Sequence, residues 1–160
     1  MVQFVLIRPG STEFDEQGRI QGTLDIPLSE QGQAEVQQAI TGLRELGLSI
    51  VYAFSAQATW QTASTIADAL NIKAKKLDAL QNVNQGLWQG MLFEEVKRKN
   101  PKVFRQLQEN PEMVCPPEGE TIGDARERVD AALEKLRKTS SNSPLVTEFR
   151  DKMKRLLQQR

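Results

Sequence analysis

Hydrophobic positions along the chain switch between a strand-like and a helix-like period, and each switch marks an element. Residues 2–7 are a nearly continuous apolar run, as in a strand buried within a parallel sheet. Residues 11–28 are polar and punctuated by glycine, ending in Asp25-Ile26-Pro27-Leu28, and predict a long ordered loop. Ser29 then stands as an N-cap, with Glu30 in the first turn where the helix dipole favours a carboxylate. Val36, Ile40, Leu43 and Leu46 follow at helical spacing, and Gly47 stops the helix.

A second strand is predicted at Ile50-Val51-Tyr52-Ala53-Phe54, followed by a helix whose apolar face carries Trp60, Ala63, Ala67 and Leu70. Residues 72–77 alternate apolar side chains with lysine, as a strand near a sheet edge would. Residues 78–90 are rich in Asn, Gln and Gly and predict a loop. Two short helices flank Asn100-Pro101, the second carrying Val103, Phe104 and Leu107, and the proline-containing stretch 110–119 is irregular. Thr121 caps a long helix with Ile122, Ala125, Val129, Ala132, Leu133 and Leu136 as its buried stripe. Residues 144–147 predict a last short strand, followed by a basic amphipathic helix with Phe149, Met153, Leu156 and Leu157. Alternating strand and helix patterns predict an α/β fold in three layers, a mostly parallel central sheet with helices on both faces. No repeat or linker divides residues 1–160, so a single domain is expected.

Composition narrows the function classes. Formal charge is balanced, 21 basic against 21 acidic residues, so the basic footprint of a nucleic-acid binder is missing. No stretch has the apolar length of a membrane span, and the first residues lack the pattern of a signal peptide. With the lone Cys115, this predicts a cytoplasmic protein without membrane insertion. There is no histidine, which removes the commonest acid–base catalyst near neutral pH. A nitrogen- or sulfur-ligated metal site is therefore not expected, nor is any cofactor.

Five motifs in order resemble those of the histidine phosphatase superfamily, the phosphoglycerate mutase-like proteins. Leu6-Ile7-Arg8-Pro9-Gly10-Ser11-Thr12-Glu13-Phe14 is similar to that family's Arg-His-Gly-x-Thr-x-aromatic opening. The long run Gly18 to Gly32, through Asp25-Ile26-Pro27-Leu28-Ser29-Glu30, nearly reproduces the family's loop and entry into its first helix. Gln61-Thr62-Ala63, Gly86-Leu87-Trp88-Gln89-Gly90 and Pro117-Glu118-Gly119-Glu120-Thr121 resemble three further segments. The resemblance covers residues 2 to about 138 and thins beyond, where the C-terminal end is shortened or altered.

The resemblance implies a histidine that attacks phosphorus, two arginines and a second histidine around the phosphoryl oxygens, and a carboxylic acid that protonates the leaving oxygen. Arg8 is kept. The nucleophile's position holds Pro9, the second arginine falls on Ala58, the acid on Asn82, and the second histidine near Glu148. These four degenerate positions lead to the expectation of a catalytically inactive pseudoenzyme, a pseudophosphatase with no catalytic residues, acting as a protein-binding or regulatory module. A protein partner or a homodimer would then be its company.

Two alternatives stand beside it: a non-catalytic sensor of a phosphorylated metabolite or anion, and residual phosphatase or phosphoglycerate mutase-type activity by a different mechanism. Arg8, with Ser11, Thr12 and Gln21, forms the candidate anion-binding set for a phosphate-containing small molecule. The plainer role for Arg8 is a structural pair with Glu13, Asp15 or Glu148. Ser11 or Cys115 as a replacement nucleophile would need an adjacent base, and the sequence offers none. Trp60 is open to either core packing or a place in the pocket, Trp88 is expected in the core, and the terminal basic helix reads as a docked, solvated element.

Overall fold

The computed structural model describes residues 4–139 and 145–147. Glu148 and the expected terminal helix lie outside the described residues. Four strands, β1 (Phe4–Leu6), β2 (Ile50–Ala53), β3 (Lys73–Lys76) and β4 (Leu145–Thr147), form a sheet in the order β1-β4-β2-β3. All its pairings are parallel: Val5 lies opposite Val146, Val51 opposite both Val146 and Ala74. The last of the described strands in sequence thus sits between the first two.

Parallel strands need crossover connections, and helices supply them. Helices α1 (Glu13–Glu16) and α2 (Glu30–Leu43) follow β1, and α3 (Gln57–Leu70) joins β2 to β3. On β2, Val51 and Ala53 alternate inward and are buried against Val36, Ile40 and Leu43 of α2 and Ala63, Ile66 and Ala67 of α3. The predicted helical stripes meet here except at Leu46, which the 3₁₀ turn after α2 carries off the helical period and leaves exposed. Ser29 caps α2 by accepting the Gly32 N–H at 3.0 Å, and Gly47, at φ 62°, ends the 3₁₀ turn that follows. Helix α3 has no cap of its own, because Ala56 stands at that position. Asp25, far off in sequence, accepts the Gln57 N–H at 2.7 Å and caps it remotely. This bond ties the long loop to the second helix.

Strand β3 is the end of the described sheet, and Lys73, Lys75 and Lys76 are exposed on it. The Lys76 ammonium lies 5.1 Å above the Trp60 ring, a cation–π contact that leaves the charge in water.

Two expected loops contain more order than their composition suggests. Residues 11–28 include α1, closed by a capping box in which Thr12 and Asp15 satisfy each other's backbone N–H groups. Residues 78–90 include 3₁₀ turns at Asp78–Leu80 and Gly86–Trp88. Elements of one turn carry too few residues to show a period. The two short helices are α4 (Phe93–Lys99) and α5 (Pro101–Glu109), and the long one is α6 (Ile122–Thr139). Thr121 forms a second capping box with Asp124 at the start of α6.

The 84–90 loop is fastened to the segment before α6. Asn84 donates its N–H to Glu120 Oε1 at 2.9 Å, and Leu87 donates to the Pro117 carbonyl at 2.9 Å. At Gly86, with φ 50°, a Cβ would meet the Glu118 carbonyl carbon at 2.6 Å, so only glycine permits the approach. Among the described residues no helix is long and apolar enough to cross a membrane.

Candidate functional site

Strand β1 delivers Arg8 to a cleft of about 310 Å³. One part of its lining is polar and comes from the β1 loop, the 18–22 segment and the 82–88 loop: Arg8, Asp15, Arg19, Gln21, Asn82 and Gln85. The other part is apolar and comes from α4, α5 and the segment before α6, including Phe93, Val103, Phe104 and Leu107. An antiparallel bridge between Arg19 and Leu92 brings the two parts together.

Arg8 has one terminal nitrogen 3.6 Å from Asp15 Oδ1, a long ion pair with both side chains partly exposed. Its Nε is buried and has no hydrogen-bond partner among the described residues. A buried guanidinium donor left open in this way is costly unless a ligand or water meets it. The structural pairing and the anion-binding role anticipated for Arg8 are therefore compatible: Asp15 steadies the group without using its Nε.

Ser11 and Thr12 lie behind the cleft, and neither lines it. Ser11 donates its N–H to Glu35 Oε2 at 2.9 Å and its hydroxyl to the same carboxylate at 2.8 Å, while its carbonyl accepts from Ser29. Thr12, 1% exposed, donates its hydroxyl proton to Asp15 Oδ2 at 2.8 Å. Each hydroxyl has one proton to give, and here it goes to a carboxylate of the scaffold. Gln21 does line the cleft, with its amide nitrogen donating to the Leu24 carbonyl at 3.2 Å.

Burial alone would raise the pKa of Glu35. Hydrogen bonds from the Gln31 side chain and from the side chain and backbone of Ser11, with attraction from Arg8, outweigh it and hold the group below its ordinary value. A carboxylate so stabilised is a weak base, and it is turned from the cleft. The Ser11–Glu35 pair, invisible in the sequence, thus supplies a strut rather than an activated nucleophile.

The four degenerate positions separate in space. Pro9 is half-buried, and the next N–H, of Gly10, donates to the buried Thr62 hydroxyl at 3.1 Å. Ala58 is 3% exposed in the first turn of α3, its N–H donating to the Ile26 carbonyl, and it does not border the cleft. Asn82 does, with its amide holding the Gly22 carbonyl at 2.9 Å. Glu148 lies outside the described residues. Trp60 packs on the core and is absent from the cleft wall, whereas Trp88, expected in the core, lines it. Cys115 is exposed, its sulfur 3.5 Å from two backbone carbonyls. Among the described residues no group of histidine, cysteine and acidic side chains is placed to hold a metal.

Two residues at the cleft have functional places that their motifs did not announce: Arg19 is a second cation there, and Asp15 lines the wall as well as pairing with Arg8. Arg19 donates to the Gly90 carbonyl and to Gln17 Oε1, both at 2.8 Å. Its place in the run Gly18 to Gly32, on the loop facing β1, was the available signal.

A model of the histidine phosphatase superfamily (branch 1) matches residues 4–148. "Phosphoserine phosphatase 1" of Hydrogenobacter thermophilus is 36% identical over 146 residues, 91% of this chain and 69% of that protein. "Probable phosphoglycerate mutase GpmB" of Escherichia coli is 31% identical over 147 residues, 91% of this chain and 68% of that protein. A mycobacterial glucosyl-3-phosphoglycerate phosphatase solved with VO3 superposes with a TM-score of 0.87 at 20% identity, covering 98% of this chain and 78% of that one. YhfR of Bacillus stearothermophilus superposes at 0.86 and 21% identity, again over 98% of this chain and 78% of that one. The last two establish the phosphoglycerate mutase-like fold.

The relatives correct one expectation. A catalytically inactive module, not an enzyme, was inferred from Pro9, Ala58 and Asn82, but proteins at 36% and 31% identity carry the names of a phosphatase and a mutase. They point to catalytic activity, and the alternative of phosphatase-type activity by another mechanism fits them better. The physical error lay in equating loss of the phosphohistidine route with loss of all phosphoryl chemistry, since water can displace an ester oxygen directly. The family model spans nearly the whole described chain and agrees with the fold and with the place of Arg8 at the end of β1: this chain belongs to the histidine phosphatase superfamily, branch 1.

Proposed function

We propose that the chain hydrolyses a small phosphate monoester at the Arg8 cleft, with water rather than an enzyme side chain as the nucleophile. The observation that carries this reading is the guanidinium of Arg8, at the cleft with a buried Nε that no described residue satisfies. A phosphoryl oxygen is the kind of acceptor such a donor takes. In support, the relatives named above act on phosphate esters by name.

The step is a displacement at phosphorus. The water oxygen bonds to phosphorus as the ester P–O bond breaks, the water proton passes to the Asp15 carboxylate, and the departing alkoxide takes a proton from solvent. Arg8 offsets the charge on the equatorial oxygens, an effect whose loss typically costs about 10²–10³-fold in rate. Transfer between two hydroxyls, as in a mutase, requires an enzyme group to hold the phosphoryl between acceptors. These 160 residues contain no histidine to do so, which favours hydrolysis.

Release of inorganic phosphate from a panel of monoesters, O-phosphoserine and 3-phosphoglycerate included, tests the reading. Slow turnover that Arg8→Ala removes is the expected result. Phosphate release no greater than that of Arg8→Ala across the panel would overturn it.

A further inference from the structure

Asn82 borders the cleft with a hydrogen-bond donor to spare. Two bonds fix how its amide is turned: Oδ1 accepts the Val83 N–H at 3.0 Å, and Nδ2 donates to the Gly22 carbonyl at 2.9 Å. An amide nitrogen carries two protons, so one remains, given to no described residue. Gln85 and Trp88 come from the same loop, but no bond to a described residue orients their polar atoms. Among these three, Asn82 is the donor already held in place.

The chain around Asn82 is irregular between the 3₁₀ turns at Asp78–Leu80 and Gly86–Trp88, and a guanidinium outside the cleft sets its path. Arg128, on α6, donates from one terminal nitrogen to the Ala79 carbonyl at 2.8 Å and to the Gln81 carbonyl at 2.9 Å. Its other terminal nitrogen donates to Glu120 Oε1 at 2.8 Å. The same carboxylate oxygen accepts the Asn84 N–H at 2.9 Å, and the Glu120 N–H returns a bond to the Asn84 carbonyl. Asn82 is thereby gripped from both sides, through the two carbonyls before it and the peptide group after it. Arg126 and Arg137 on the same helix pair with carboxylates while 56% and 60% exposed, whereas Arg128 is 27% exposed and reaches across to backbone. Only a planar fork meets three acceptors in this way; a lysine ammonium would not.

We propose that Arg128 is a positioning residue for the cleft: it holds the 79–84 segment so that Asn82 gives its remaining amide proton to a phosphate oxygen, as a second donor beside Arg8. A phosphate has more acceptor sites than one guanidinium fills, and an amide preoriented by the scaffold serves without moving. The inference rests on the phosphatase reading for the position of the phosphate at Arg8.

Titration calorimetry with inorganic phosphate on the full chain, Asn82→Ala, Arg128→Lys and the double variant tests it without depending on turnover. Asn82→Ala should weaken binding about tenfold, the scale of one hydrogen bond to a charged group. Arg128→Lys should weaken it at least about threefold in the parent and by less than about twofold where Asn82 is already alanine, because its effect passes through that amide. A residue that only staples the fold would instead lower the melting temperature and leave the folded chain's phosphate affinity alone. Arg128→Gln repeats the cycle if Arg128→Lys does not fold. Phosphate bound as tightly by Asn82→Ala as by the parent, no change in affinity with either Arg128 variant, or an Arg128 effect equal in both backgrounds would overturn the inference and leave the phosphatase reading standing. No phosphate binding by the parent, or binding indifferent to Arg8→Ala, would overturn the phosphate's place at Arg8 and so remove both.

Discussion

Arg8 and Ser11 stand three residues apart on the loop after β1, and their polar groups are used in opposite ways. Ser11 commits its N–H, hydroxyl and carbonyl to Glu35 and Ser29, and Gly10 beside it is held by Thr62. Arg8 makes the long pair with Asp15 and, among the described residues, keeps a buried Nε open. One half of the loop is fastened to α2 and α3, and the other half is presented to the cleft. Fixing the first half is what lets the second hold a donor in place without closing around it, since preorganisation requires a rigid support.

That contrast can be broken from either side. Arg8→Ala should have the largest effect, about 10²–10³-fold in turnover of a phosphate ester, with a melting temperature close to the parent's. A large fall in melting temperature would show that Arg8 belongs to the fastened half. Next comes Gly32→Ala on α2, where a Cβ would collide with the Ser11 carbonyl oxygen and lie 2.7 Å from its nitrogen. Both are backbone atoms, so denaturant unfolding should show a loss of about 3 kcal/mol. Thr62→Val leaves the buried Gly10 N–H without its acceptor and should cost about 2 kcal/mol in the same assay.

The smallest effect is a pH effect. Glu35 has a depressed pKa in the folded chain, so its contribution is present above its ordinary value of 4.5 and is lost as pH falls through the folded value. Glu35→Gln should cost under about 1 kcal/mol at neutrality, because the group is partly exposed, and should converge on the parent at low pH, which flattens the acid limb of the stability curve. An unchanged acid limb would show that the Ser11 strut does not depend on charge.

Much of the scaffold could be read from the chain. Val36, Ile40 and Leu43, and Ala63 and Ala67, are spaced by the helix itself, so their burial follows from local pattern. Ser29, Gly47 and Thr121 act within three residues of where they stand. The site was less legible because its contacts are long-range. Nothing near Ser11 announces Glu35, 24 positions away, and nothing near Gln57 announces the cap from Asp25, 32 positions away. The sequence therefore identified Arg8 and Gln21 at the cleft but placed Ser11 and Thr12 there too, named Asp15 only as a partner for Arg8, and gave Arg19 no role. Pro9, Ala58 and Asn82 mark the loss of one mechanism, the phosphohistidine route, and do not by themselves exclude other phosphate-ester chemistry.

The lysines of β3 have a consequence for the chain before it is complete. Since β4 is the last of the described strands in sequence, β1 and β2 must wait for it, and during synthesis β2 and β3 have, among the described strands, only each other to pair with. A nascent two-stranded ribbon would be open to strand addition from neighbouring chains. Lys73, Lys75 and Lys76 give its outer rim a repelling charge, which protects the half-made sheet at the stage when the fold itself cannot.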